Sequence, residues 1–77
     1  MRAFHGTPAQ EAYESIKAEG FRVGTWFAFN RKNAERFGGP YMFEVEIDPA
    51  CLSRDVDWQF HILEPLPAES IVASYTP

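Results

Sequence analysis

Three short stretches carry side chains suited to chemistry. His5 ends an apolar run, Ala3-Phe4, and is followed at once by Gly6 and Thr7. A histidine donates or accepts a hydrogen bond at neutral pH, and a glycine beside it lets another group approach the backbone closely. The helix that starts after Thr7 presents free amides, which favour an anion or a polar ligand. The second stretch is Gly24-Thr25-Trp26-Phe27-Ala28. Trp26 and Phe27 are adjacent on a strand, so their rings point to opposite faces. A flat ring beside a polar histidine suits a planar heteroaromatic ligand. The third is Gln59, with His61 on the same strand face by alternation and Asp57 two residues before it. Each stretch also has a plain structural reading. His5 is then a strand-end residue bonded to a carbonyl, Gly6-Thr7-Pro8 a tight turn, and Trp26 and Phe27 core mass. Cys51 has no basic or histidine neighbour in sequence and does not read as a nucleophile.

The elements that must position these residues alternate along the chain. Arg2–His5 reads as a short strand. Thr7, Pro8 and Gln10 form a helix start, with Thr7 as cap, Pro8 at the first helical position and Gln10 completing a capping box. Ala9, Ala12, Tyr13 and Ile16 share one face of a helix over residues 8–19, and Gly20 supplies its left-handed terminus. Gly24–Phe29 is an aromatic, β-favouring strand. Asn30 caps a second short helix, Arg31 to Phe37, which Gly38-Gly39-Pro40 stops. Tyr41, Phe43, Val45 and Ile47 alternate with Met42, Glu44 and Glu46, the clearest period-two pattern in the chain, and predict one buried and one wet face. Residues 50–57 read as irregular and polar. Trp58–Leu63 and Glu69–Tyr75 are further strands, the last at an edge. The sum is an α+β domain of about five mostly antiparallel strands and two short helices.

Composition narrows the class. The chain has 77 residues, enough for one domain. It carries one cysteine and two histidines, which make neither an internal disulfide nor a zinc-ligand pattern. Core mass must come from seven Phe, three Tyr and two Trp, helped by any self-association. A net charge of −4 has the wrong sign for a general nucleic-acid binder. Arg31, Lys32 and Arg36 are the one basic cluster, and read as a solvated helix face. No apolar run approaches the roughly 20 residues that span a bilayer. With the single thiol and an N-terminus that lacks a secretory pattern, this predicts a cytoplasmic protein.

The order of motifs resembles the ADP-ribosyltransferase fold in its diphtheria-toxin and poly(ADP-ribose) polymerase branch. Phe4-His5-Gly6-Thr7 is similar to that branch's first motif, a strand ending in His-Gly-Ser or His-Gly-Thr. Gly24-Thr25-Trp26-Phe27-Ala28 is similar to its Gly-x-Tyr-Phe-Ala strand, and Asn33-Ala34-Glu35-Arg36-Phe37 to the helix that follows. Gln59-Phe60-His61-Ile62-Leu63-Glu64-Pro65 resembles the third motif, where the family carries a glutamate first. The resemblance covers residues 4–72. It implies a small NAD-binding domain that cleaves the nicotinamide–ribose bond and transfers ADP-ribose to a macromolecular acceptor. It implies that His5, Trp26 and Gln59 are the catalytic positions. It implies further that His5, Gly6, Thr7, Trp26, Phe27, Ala28 and Phe37 surround the cofactor. By the resemblance, His5 bonds the adenosine-side ribose, the Gly6 backbone holds the carboxamide, and Trp26 and Phe37 stack on nicotinamide.

Two positions depart from the family pattern. Trp26 keeps the stacking surface of the family tyrosine without its hydroxyl. Gln59 stands at the glutamate's place, and an amide neither stabilises an oxocarbenium as a carboxylate does nor acts as a general base. Asp57 is a candidate replacement carboxylate, and Glu64, at the strand end, a poorer one. Two functional readings therefore stand open. One is an active mono-ADP-ribosyltransferase. The other is an inactive member of the fold that binds a nucleotide or a partner protein, as a phage or mobile-element inhibitor of the anti-CRISPR kind would.

Overall fold

The computed structural model describes residues 1–77. Six strands form one antiparallel sheet flanked by two helices. They are β1 (Arg2–Thr7), β2 (Trp26–Ala28), β3 (Tyr41–Glu46), β4 (Leu52–Val56), β5 (Gln59–Ile62) and β6 (Ile71–Tyr75). The helices are α1 (Gln10–Glu19) and α2 (Arg31–Phe37). The strand order is β4-β5-β2-β1-β3-β6, so β1 lies inside the sheet and pairs antiparallel on both sides. Its ladder with β3 is continuous from Arg2↔Glu46 to Thr7↔Tyr41.

Strand alternation sorts the side chains into two cores. Ala3, Phe27, Phe43, Val45, Phe60 and Ile62 share one face with Tyr13 of α1 and with Phe21. Tyr13 stacks on Phe43 at 4.9 Å, and Phe27 on Phe60 at 5.9 Å. Ala28 and Met42 lie on the other face under Ala34 of α2, with Phe4, Trp26, Trp58 and Tyr75 around them. The helices therefore cover opposite faces, and the aromatic mass expected from composition is divided between the two cores. No helix is long and apolar enough to cross a membrane.

Five sequence expectations change. The strand count is six, because residues 52–56, read as irregular, pair with β5. This edge strand has one neighbour and largely exposed side chains, so it carries no apolar alternation. The first helix begins at Gln10, not at residue 8, with Ala9 at its cap. Thr7 is drawn into the β1–β3 ladder with a buried side chain, and its Oγ1 only accepts from the Ala9 N–H at 3.5 Å. Tertiary pairing there overrides the capping box. Met42, expected on a wet face, is buried because α2 covers it. β2 is only three residues long, since a turn in which Thr25 bonds back to the Arg22 carbonyl and Gly24 takes φ 88° precedes it. Asn30 caps α2 as expected, its Oδ1 accepting from the Asn33 N–H at 3.0 Å.

One close approach ties α2 to the sheet. A Cβ added to Gly6 would lie 2.5 Å from the Ala34 carbonyl oxygen and 2.6 Å from the Gly39 nitrogen. Both are backbone atoms and cannot swing away. Gly6→Ala should therefore lower stability by about 1–3 kcal/mol, the usual cost of overpacking. Chemical denaturation should show this as a lower midpoint at unchanged slope; a midpoint equal to wild type would refute the packing account.

Candidate functional site

β1 and β2 bring His5 and Trp26 together. The His5 ring is buried on the α1 face, with Phe21 and Phe27 each 5.6 Å away and Trp26 at 5.1 Å. Its Nδ1–H donates to the Trp26 carbonyl at 2.8 Å, since a carbonyl only accepts. That bond fixes the tautomer and leaves Nε2 with a lone pair. Burial pushes the His5 pKa below its ordinary value, and the Trp26 carbonyl offsets this only in part. At neutral pH the ring is thus uncharged, an acceptor for a ligand hydroxyl.

His5 and Trp26 both line a cleft of about 870 Å³ beside α1. The chain from Gly20 to Thr25 forms another wall, and Ala12, Ile16 and Glu19 of α1 close it. His5 thus makes the carbonyl bond of its plain structural reading and also borders the cleft.

The remaining sequence-singled residues distribute as follows. Gly6 is buried against the α2 C-terminus, where Gly38 also meets the Trp26 ring. Thr7 is buried on the core face. Phe27 and Ala28 have no exposed surface and form the floor of the two cores. Phe37 is half exposed and stacks on Trp58 at 4.6 Å and 19°, while Trp58 meets Trp26 edge-on at 6.4 Å. Neither Phe37 nor Gln59 lines the α1-side cleft. Gln59 opposes Ala28 and shares the α2 face of the sheet with Trp26 and His61. Asp57 lies exposed in the β4–β5 turn, outside either strand. Glu64 approaches only Cys51, whose Sγ is 4.0 Å from its Oε2.

A carboxylate that sequence reading passed over is the one that meets a histidine. Asp55 Oδ1 lies 2.7 Å from His61 Nδ1. Arg54 opposes Phe60 and Val56 opposes Gln59, so Asp55 is the extra residue of a β-bulge. Ser53 opposes His61, so Asp55, two residues further along β4, falls on the face of His61 by alternation. Asp57 looked better placed because it stands two residues before Gln59 in sequence.

The basic residues of α2 are exposed, as expected. Arg31 lies over the Tyr75 ring at 4.0 Å and Arg36 over Phe37 at 5.2 Å. No group of three or more His, Cys, Asp or Glu side chains is placed to hold a metal. No protein-family model matches the chain, and no curated protein matches it.

The His5 environment sets a pH dependence. The unfolded histidine titrates at its ordinary value of about 6.5, and folded His5 below it. As pH falls below that value the unfolded chain takes up the proton first, so stability falls. Melting curves between pH 7 and 5 should show a decline, and His5→Leu should flatten it. An unchanged slope in the variant would refute the assignment. Glu46, held below its ordinary pKa chiefly by the N-terminal amine, adds a loss of the same sign at more acidic pH.

Proposed function

We propose that the protein binds NAD or a related ADP-ribose nucleotide, as an ADP-ribosyltransferase-like domain. The observation that carries this reading is the His5–Trp26 pair: a neutral imidazole whose free Nε2 accepts, beside a flat indole, in the wall of an open cleft. A ribose hydroxyl suits the first and a planar base the second. The motif order His5-Gly6-Thr7, Trp26-Phe27-Ala28 and Gln59 supports the same class by resemblance. The partner of the reaction, in this reading, is a macromolecular acceptor.

A second reading, binding without transfer, is favoured by Gln59, an amide where the family carries a glutamate and a residue that does not line the cleft holding His5. An inhibitor module that grips a protein partner belongs to that reading.

A ligand held only by the folded state raises stability, by about 2.7 kcal/mol at a hundredfold excess over Kd. For a domain of this size that is a rise in Tm of well over ~5 °C. NAD should produce such a rise in the wild type, and the rise should shrink in His5→Leu, each measured against its own baseline. A flat response to both NAD and ADP-ribose would sink the nucleotide reading.

A further inference from the structure

We infer that Arg22 holds the diphosphate of a bound nucleotide, so that the cleft beside α1 selects nucleoside diphosphates over nucleosides. The inference rests on the nucleotide reading above and adds a residue that neither the motifs nor the resemblance singles out. Three observations support it.

The first is the charge of the cleft. Arg22 is the only cation among the residues that line it, and Glu19 the only carboxylate. Burial holds His5 below its ordinary pKa, so it brings no positive charge at neutral pH. The anionic part of a ligand seated against His5 and Trp26 therefore has one cationic side chain to meet. A guanidinium offers its N–H donors in a planar fork that matches phosphate oxygens two at a time. Glu19 ends α1, where the helix carbonyls also gather negative charge, and both disfavour a phosphate against the helix. The turn that carries Arg22 is the wall left for an anion.

The second is that Arg22 has nothing else to do. Arg2 pairs with Glu44 at 2.9 Å and with Glu46 at 3.6 Å. Arg31, Arg36 and Arg54 each lie over an aromatic ring. Arg22 makes no ion pair, not even with Glu19 three residues before it, and its side chain is exposed. The backbone N–H groups of Arg22 and Val23 bond to no acceptor in the chain and are left to water or a ligand.

The third is a fixed backbone under a free side chain. On one side, Phe21 and Leu66 exchange two hydrogen bonds, at 2.7 and 2.9 Å. On the other, the Thr25 N–H and Oγ1–H both donate to the Arg22 carbonyl, at 3.1 and 2.6 Å. Gly24, at φ 88°, supplies the positive φ that such a turn needs at its third residue, and its N–H donates to the Ile62 carbonyl at 2.9 Å. Trp26 follows the turn directly. Arg22 is thus anchored at a set place relative to the indole, and only its side chain is ordered on binding, which keeps the entropic cost small.

The test titrates adenosine, ADP, ADP-ribose and pyrophosphate calorimetrically into the full chain. Wild type should bind ADP and ADP-ribose about tenfold or more tightly than adenosine, the usual worth of a charge-assisted hydrogen bond. Added salt should narrow that margin. Arg22→Gln should weaken ADP about tenfold or more and change adenosine less than about twofold, while Arg22→Lys, which keeps the charge without the fork, should keep part of the margin. Lys32→Gln removes a like charge from α2, on the other face of the sheet, and should bind ADP within about twofold of wild type. Ligand-free Arg22→Gln should melt with wild type, because the side chain has no partner to lose. Equal affinity of wild type for adenosine and ADP, or ADP binding by Arg22→Gln within about twofold of wild type, would overturn the proposal and leave the nucleotide reading standing. Pyrophosphate binding as tight as that of ADP, or no binding of ADP-ribose at all, overturns both.

Discussion

The α2 C-terminus lies directly on the backbone of β1 at Gly6, with the Ala34 carbonyl and the Gly38-Gly39 segment where a side chain would otherwise be. Much of the second face follows from that contact. It lets Ala34 reach Ala28 and Met42, and it brings Gly38 against the Trp26 ring. It also ends α2 so that Phe37 falls on Trp58. A helix of only seven residues has little stability of its own. Its Asn30 cap and this seating hold it, so the glycine that could admit a ligand to the backbone is first a packing requirement.

Most of the fold is legible because its strongest patterns are local. The Tyr41–Ile47 alternation reads directly as β3, the Asn30 cap and the glycines after Phe37 bound α2, and Gly20 closes α1 at φ 84°. What escapes is decided by neighbours in space. Thr7 has the chemistry of a cap, yet β3 extends far enough to pair with it. Met42 looks wet in the alternation and is dry because a helix crosses above it. β4 carries no periodic signal because it needs only one partner strand. The site follows the same division. His5 and Trp26 stand out by type and flank, whereas Asp55 meets His61 only because β4, which carries no periodic signal, pairs with β5.

The two histidines show how the partner of Nδ1 decides what an imidazole can do. Both rings present Nε2 by spending Nδ1 on an acceptor. For His5 the acceptor is a neutral carbonyl, and the ring is packed among Phe21, Phe27 and Trp26. Burial penalises the imidazolium, and a carbonyl dipole compensates little of it. His5 is therefore suited to hold a hydroxyl and unsuited to keep a proton. For His61 the acceptor is the Asp55 carboxylate, in a half-exposed hairpin. Proton transfer needs a site that is tolerable in both protonation states, whereas binding needs one that stays in a single state. His5, kept neutral by burial on the α1 side, meets the second condition, while the His61–Asp55 pair lies on the opposite face of the sheet.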